Sequence, residues 1–256
     1  MQKVMTVNDL SHNELSNKIK MISRDLKLQA FEEYNEYIRN DLSTEEVIHN
    51  LLKAEQSIKD LSRYKYRMKM AKFPVAKTLD TFHFDRKRLP DLSKDAVMDL
   101  ATCKFIEEKR NVIALGNPGT GKTHLLTALC IEAIVKGYSV KFIRASDLVT
   151  QMTEAKNENE LAKYIKRINA CDALFIDEFG YLSYDAAGAS LLYQVFANRY
   201  ETKSTLVTSN LAFSKWLSIL SNDEELASAL IGRITQQSTI LNMNGEDYRV
   251  YLSKKL

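Results

Sequence analysis

A short run of glycines and polar residues carries the clearest chemistry in the chain. It reads Gly116-Asn117-Pro118-Gly119-Thr120-Gly121-Lys122-Thr123, which fits the pattern G-x-x-x-x-G-K-[ST] of loops that bind nucleotide phosphates. The glycines let backbone N–H groups turn towards phosphate oxygens. Lys122 can then reach the β- and γ-phosphates, and the hydroxyl of Thr123 can bind Mg²⁺. We therefore predict that residues 116–123 bind a nucleotide together with Mg²⁺.

The residues on either side of this loop favour that interpretation over a glycine-rich turn. Asn111–Leu115 is a short apolar run typical of a strand, and His124–Val135 has the periodicity of a helix. Strand, loop and helix follow one another in the order that phosphate-binding loops need. His124 adjoins the nucleotide. We expect its side chain to pack against neighbouring residues or to cap the helix, because helix geometry turns its ring away from the γ-phosphate.

A pair of carboxylates offers the second piece of chemistry. Asp177 and Glu178 end an apolar run that begins at Ala173 and is typical of a buried strand. Asp177 could hold Mg²⁺ through water, while Glu178 could orient and deprotonate an attacking water molecule. The alternative is that the two acids cap the following helix. A small-molecule kinase needs no water-activating glutamate here, so the pair favours hydrolysis.

A third polar group follows another predicted strand. Asn210 comes directly after Ser204–Ser209. If this strand lies between the two already described, Asn210 would project beside the γ-phosphate and could hold the lytic water. A turn that simply ends the strand is the alternative.

A basic segment precedes these motifs. Residues 59–72 hold six basic side chains and one acidic residue, Asp60, interleaved with tyrosine and methionine. On a helix this pattern would surround much of the circumference with positive charge, which suits contact with nucleic-acid phosphates. The solvated face of a linker helix is the alternative, and charge alone does not separate the two.

The elements that must position these groups alternate along the chain. Apolar residues predict one helix from Ile19 to Ile38, and a Ser43–Glu46 capping box predicts the start of a second. Residues 74–90 look extended, either lying along the nucleotide base or anchoring the core. A helix over 92–106 and alternating strands and helices follow, ending in a predicted strand over 248–252. This alternation predicts an α/β fold with a parallel sheet covered by helices.

The composition limits the classes of protein to which the chain could belong. The 256 residues are 45% hydrophobic and carry a net charge of +3, so the chain can form a sizeable core and shows no overall bias towards polyanions. Cys103, Cys130 and Cys171 have no metal-type spacing and are expected to be reduced. Because no apolar signal core or membrane-length apolar run is present, we expect a cytoplasmic protein without a membrane partner.

Several motifs together resemble one family. The chain is similar to the IstB-like AAA+ ATPases, relatives of the DnaC helicase loaders, over nearly its whole length and most specifically from about Leu79 onwards. The resemblance rests on Gly116–Leu125, Phe175–Tyr181, Asn198–Glu201, Thr208–Asn210, Gly232-Arg233 and Asp247–Arg249.

The resemblance implies a domain organisation. Residues 1–73 would form a small α-helical N-terminal domain that ends in a basic helix, and 74–90 would be a connection. Residues 91–256 would form a P-loop AAA+ ATPase domain with a reduced or absent C-terminal lid.

The resemblance also assigns roles to individual residues. Lys122 and Thr123 match the first nucleotide-binding motif, Asp177 and Glu178 the second, and Asn210 the water-positioning sensor. Arg233 falls where the family places an arginine finger that acts on a neighbouring subunit's ATP, and Arg249 matches a second sensor. The chain departs from the family at Gly232, where an aspartate is usual, and at Gln236-Gln237, where histidines are common. Arg199 is the alternative finger.

The function implied by the resemblance is help in DNA transposition. Such a protein would oligomerise on duplex DNA with ATP, without sequence preference, and would recruit and stimulate the transposase encoded by the same element. The resemblance favours DNA contact by the basic segment through Arg63, Lys65, Arg67 and Lys69. Three alternatives remain open, namely a replicative helicase loader of the DnaC type, a small-molecule P-loop kinase, and a nucleotide-gated binding module without hydrolysis.

Overall fold

A computed structural model describes residues 11–248 and residue 250. The chain divides into two compact units, with the boundary between Tyr66 and Arg67, inside a long helix. The domain boundaries at residues 73 and 90 stay predictions.

The first unit is helical. It contains α1 (His12–Asp25), α2 (Gln29–Glu32), a 3₁₀ turn (Tyr34–Tyr37) and the start of α3 (Thr44–Ala71). The prediction of one helix from Ile19 to Ile38 is wrong, because α1 ends at Asp25 and Lys27 adopts a left-handed backbone conformation with φ 56°. An apolar period can continue through such a turn, so periodicity alone did not reveal it.

Two polar contacts fix α3 within this unit. The predicted capping box is confirmed, since the Glu46 N–H donates to Ser43 Oγ at 3.3 Å and the Ser43 N–H donates to Glu46 Oε2 at 2.8 Å. The buried Glu55 carboxylate accepts from the Ala30 N–H at 2.9 Å, which ties α2 to α3. All three acceptors satisfy backbone N–H groups that a helix start leaves unpaired.

The second unit alternates helices and strands, and its elements agree closely with the predicted alternation. Their bounds are α4 (Lys94–Ala101), α5 (Lys104–Glu107), β1 (Asn111–Leu115), α6 (Lys122–Val135), β2 (Val140–Arg144), α7 (Ala145–Asn157), α8 (Leu161–Ile168), β3 (Ala173–Phe179), α9 (Ala186–Arg199), β4 (Ser204–Ser209), α10 (Trp216–Ile219), α11 (Glu224–Thr235) and β5 (Ser238–Asn242).

Two predicted elements of this unit need correction. The helix expected over 92–106 is split into α4 and α5, because Cys103 adopts a left-handed conformation with φ 64°. The strand expected over 248–252 is wrong where it can be checked, since Tyr248 and Val250 are helical. Arg249 and residues 251–252 lie outside the described residues.

The sheet brings the functional loops to one edge. Its five strands are parallel and follow the order β2-β3-β4-β1-β5. The strands β1, β3 and β4 are almost completely buried, as expected when helices cover both faces. Because β4 lies between β1 and β3, the condition set for Asn210 is met. Ligands bind at the carboxyl ends of such strands.

Candidate functional site

The phosphate-binding loop joins β1 to α6. Gly119 and Gly121 have φ values of +72° and +97°, a left-handed conformation that side chains disfavour. A Cβ on Gly121 would also lie 3.1 Å from the Phe82 ring. The glycines therefore let the loop turn tightly into the N-terminus of α6, where N–H groups and the helix dipole favour an anion.

Lys122 is a buried cation at the start of this helix. Its ammonium group donates to the carbonyl oxygens of Gly116 at 2.7 Å and Asn117 at 2.6 Å. Burial lowers the pKa of Lys122 to about 8, and the charge of Asp177 opposes part of this shift. An anionic phosphate near the ammonium group would favour its charged form.

Asp177 is the centre of a cluster of oxygen atoms. The hydroxyl of Thr123 donates to Asp177 Oδ1 at 2.9 Å, and the hydroxyl of Thr208 donates to the same oxygen. Carboxylate and hydroxyl oxygens are ligands that suit Mg²⁺. Thr123 and Asp177 therefore fit a magnesium ion that also binds nucleotide phosphates.

Glu178 lies in an irregular stretch of β3. The register between β3 and β4 shifts between Ile176 and Phe179, and Glu178 adopts a left-handed conformation with φ 58°. Its N–H donates to Thr208 Oγ1 at 2.9 Å. Its carboxylate is half exposed and lies 3.4 Å from Nε of Arg144 at the end of β2. The irregular backbone and the Thr208 contact thus direct the carboxylates of Asp177 and Glu178 into different surroundings.

Several of these groups line one cleft of about 560 Å³, within the range of small-molecule sites, and Asp177 is joined to its wall through hydrogen bonds from Thr123 and Thr208. Lys122, Thr123, Glu178 and Asn210 all border it, and Asn210 is exposed at the end of β4. The cleft therefore brings together the predicted phosphate-binding, water-activating and water-positioning residues.

The segment before α4 forms another wall of the cleft. Phe82 is buried, and its ring meets the His124 ring edge-on with centroids 5.4 Å apart. Nε2 of His124 lies 3.1 Å from both the Thr78 carbonyl oxygen and Thr81 Oγ1. Burial lowers the pKa of the His124 imidazole, against the effect of the Thr78 hydrogen bond. His124 therefore packs residues 78–82 against α6 while bordering the cleft.

The two candidate arginine fingers have different surroundings. Arg199 is 1% exposed, and its guanidinium donates to the carbonyl oxygens of Asn169, Cys171, Asp172 and Ser204 and to the Thr205 hydroxyl. Its donors are thus used inside the same chain. Arg233 is half-buried in the last turn of α11, donates to the Ala229 carbonyl oxygen at 3.1 Å and lies over the Tyr193 ring. It does not border the cleft of its own chain. Arg249 lies outside the described residues.

The four predicted DNA-contact residues lie on α3. Arg63, Lys65 and Lys69 are exposed, whereas Arg67 is half-buried. Arg63 forms an ion pair with Asp60 at 3.3 Å. Arg67 lies beside Gly137, with Nη1 3.8 Å from where a Cβ on that glycine would be. The two lysines are therefore the more accessible cations of the set.

Sequence reasoning missed three residues of the site. Thr208 was part of a recognised motif, but its bond to Asp177 was not anticipated. Arg144 ends β2 in register with Asp177, a pairing that requires the strand order. Arg88 borders the cleft from the segment before α4, and no pattern in that segment singled it out.

The described residues contain no cluster of three or more His, Cys, Asp or Glu side chains suited to a protein-only metal site. Magnesium is commonly held by one or two protein ligands together with substrate phosphates. Over the same residues, no helix is both long and apolar enough to cross a bilayer.

Comparison with solved structures agrees with this fold. The chain is similar to the DnaC helicase loader, with a TM-score of 0.53 and 23% identity over 64% of this chain and 95% of that chain. It is also similar to AMPPCP-bound DnaA from Aquifex aeolicus, with a TM-score of 0.55 and 23% identity over 72% of this chain and 54% of that one. The core is therefore a P-loop AAA+ fold, as predicted.

Sequence comparison identifies the family. The predicted ATP-binding protein of insertion sequence IS5376 from Geobacillus stearothermophilus is 39% identical over 211 residues, which are 82% of this chain and 83% of that protein. Its counterpart from IS21 of Pseudomonas aeruginosa is 38% identical over 189 residues, or 74% of this chain and 70% of that protein. The profile of the IstB-like ATP binding protein family matches residues 18–255. The chain belongs to the family of IstB-like ATP-binding proteins.

Proposed function

We propose that this protein binds and hydrolyses ATP with Mg²⁺ and uses that cycle to assist DNA transposition. The observation that carries the proposal is the cluster in which Thr123 and Thr208 converge on Asp177, beside Lys122 and Glu178. The family of ATP-binding proteins to which the chain belongs supports ATP as the nucleotide. Its relatives from insertion sequences support the role in transposition.

In this proposal the predicted phosphate-binding, magnesium-binding and water-activating residues have separate tasks. Lys122 exchanges its carbonyl contacts for the β- and γ-phosphates. Thr123 and Asp177 would hold Mg²⁺, which would neutralise charge on the phosphates when bound. Asn210 would orient the water molecule. Glu178 would accept a proton from that water as its oxygen bonds to the γ-phosphorus and the bond from this phosphorus to the β–γ bridging oxygen breaks, which releases ADP and phosphate.

The site is completed by a second copy of the chain. Arg233 borders no part of its own cleft, which supports a role on a neighbouring subunit's ATP. The guanidinium donors of Arg199 are bonded within its own chain, so Arg199 loses support as the arginine finger. We assign the second-sensor role to Arg249 on the family resemblance alone.

DNA and the transposase are the proposed partners. The exposed lysines of α3 would contact the backbone of duplex DNA, so binding would be insensitive to sequence and strongly weakened by salt. ATP-dependent assembly on DNA would then recruit and stimulate the transposase encoded by the same element.

The test is ATP-dependent assembly on duplex DNA. Sedimentation measures the assembly, and an assay of transposase activity measures its effect on the partner. The wild type should assemble with ATP, Lys122→Ala should neither bind ATP nor assemble, and Glu178→Gln should bind ATP and assemble but not hydrolyse it. If Glu178→Gln hydrolyses ATP normally, the catalytic assignment is wrong. Association with a replicative helicase, without any effect on a transposase, would instead favour the helicase-loader function.

A further inference from the structure

Arg88 is a buried arginine beside the phosphate-binding loop that the proposed chemistry leaves without a task. Its side chain is 5% exposed and borders the cleft. Nη1 lies 3.5 Å from the Thr120 carbonyl oxygen and 3.4 Å from the Glu246 carbonyl oxygen. The guanidinium carbon lies 4.9 Å from the centroid of the Tyr248 ring. One cation therefore contacts both the loop and a segment near the C-terminus.

That segment, residues 243–248, runs closely along the loop. The Met243 N–H donates to the Leu115 carbonyl oxygen at 2.6 Å, and the Tyr248 N–H donates to the Gly119 carbonyl oxygen at 3.0 Å. Asn117 Nδ2 donates to the Gly245 carbonyl oxygen at 3.2 Å. The segment thus forms hydrogen bonds with the end of β1 and with two residues of the loop.

Two glycines permit this close packing. A Cβ on Gly116 would lie 2.2 Å from the Met243 carbonyl oxygen, and one on Gly245 would lie 1.9 Å from the Arg88 carbonyl oxygen. Neither position has room for a side chain. Arg88, the loop and the segment therefore form one tightly packed unit, and displacement of one of them must disturb the others.

The charge on Arg88 is costly to bury in these surroundings. Its Nε has no hydrogen-bond partner among the described residues, and its two Nη1 contacts are long for N–H···O bonds. Burial of an incompletely paired cation opposes folding. An apolar side chain would suffice for packing alone, so the buried guanidinium beside the cleft points to a role there.

We propose that Arg88 is a positioning residue that holds the phosphate-binding loop against residues 243–248, so that nucleotide binding and the order of this C-terminal segment depend on each other. The inference rests on the proposed nucleotide site and adds a regulatory link to it. Because coupling is reciprocal, a segment that stabilises the loop for nucleotide must itself be stabilised when nucleotide binds.

The experiment combines Mg·ATP affinity with amide hydrogen exchange in wild type, Arg88→Met and Arg88→Lys. In the wild type, nucleotide should slow exchange in both 116–120 and 243–248. Arg88→Met should bind Mg·ATP about tenfold or more weakly, because hydrogen bonds from a charged group are lost. It should also lose the nucleotide-dependent protection of 243–248. Arg88→Lys should retain part of the Mg·ATP affinity and part of the protection, since lysine keeps the charge but lacks the planar guanidinium.

Controls separate this role from packing and from failure of the nucleotide site. Arg86→Met changes an exposed arginine that does not border the cleft, so it should behave as wild type. Wild-type affinity and protection in folded Arg88→Met would overturn the inference. If Arg88→Met does not fold, Asn117→Ala should weaken the same protection, and unchanged protection would overturn the inference equally. Normal ATP binding by Lys122→Ala would refute the proposed site itself.

Discussion

The Thr208 hydroxyl contacts two adjacent acidic residues for which we propose different tasks. It donates to Asp177 Oδ1 and accepts from the Glu178 N–H. Asp177 is buried, whereas Glu178 is half exposed beside Arg144. A single side chain thus sets both the orientation of the proposed magnesium ligand and the backbone position of the proposed base.

Thr208→Val should therefore impair hydrolysis more than ATP binding. Valine keeps the shape of threonine but removes both hydrogen bonds, and we expect kcat to fall about 10- to 100-fold. Steady-state ATPase assays, with ATP affinity measured separately, check this. Thr208→Ser, which keeps the hydroxyl, is the matched control and should retain most of the activity. Wild-type turnover by Thr208→Val would contradict this role for the hydroxyl.

The low pKa of Lys122 predicts proton uptake on ATP binding. The buried ammonium has a pKa of about 8 in the free protein, and the phosphates should raise it in the complex. Lys122 should therefore not change the ATP affinity with pH well below pH 8, and it should lower the affinity as the pH rises through 8, where the free protein loses the proton that the complex keeps.

Calorimetry at pH 8.5 in two buffers with different ionisation enthalpies measures this uptake. We expect part of one proton per ATP bound, and the uptake should disappear in any Lys122→Met protein that still binds detectably. Equal apparent enthalpies in the two buffers for the wild type would show that Lys122 is already fully charged or stays uncharged.

The helix α3 presents its basic residues on two faces. At 3.6 residues per turn, Arg63 and Arg67 share one side of the helix, and Lys65 and Lys69 share another. On the arginine side, Arg63 is paired with Asp60 and Arg67 is half-buried. The lysine side is exposed and is therefore the better candidate for contact with a DNA backbone.

Lys65→Ala with Lys69→Ala should weaken DNA binding more than Arg63→Ala with Arg67→Ala. If both lysines contact phosphates, their loss should reduce the slope of log affinity against log salt by about 1.8, because each contact contributes about 0.9. Binding titrations of duplexes with unrelated sequences at several salt concentrations measure this slope. Equal slopes in the lysine variant and the wild type would exclude this side of α3 as a DNA contact.

The position of Arg233 is relevant to the proposed assembly of several chains. It lies in the last turn of α11 over the Tyr193 ring and borders no part of its own cleft. An arginine that acts on a neighbouring subunit would leave each isolated chain with an incomplete site. ATP turnover would then depend on assembly, as a switch on DNA requires.

Mixing two inactive variants tests this arrangement. Arg233→Ala keeps Glu178, and Glu178→Gln keeps Arg233, so mixed oligomers should contain some complete sites. We expect each variant alone to hydrolyse ATP about a thousandfold or more slowly than wild type. The mixture should recover a readily measured fraction of activity, and absence of recovery in confirmed mixed oligomers would contradict action between subunits.

Local patterns were sufficient to predict the phosphate-binding loop, the strand before Asp177 and most elements of the core. The loop 116–123, the strand before Asp177 and the capping box at Ser43 each depend on neighbouring residues, so spacing and burial pattern reveal them. The parallel sheet followed from the alternation of strands and helices. Local patterns failed to predict helix ends where a single residue adopts a left-handed backbone conformation, as at Lys27 and Cys103.

The remaining features depend on which segments meet in the folded chain. Thr208 reaches Asp177 because β4 lies beside β3, and Arg144 reaches Glu178 because β2 lies on the other side of β3. Arg88 contacts Glu246, which lies 158 residues further along the chain. Arg199 is buried among carbonyl groups from several segments. Such contacts arise from strand order and close packing rather than from spacing along the chain. The sequence therefore indicated a phosphate-binding loop, whereas only the folded chain decided which distant residues, such as Arg88, contact it.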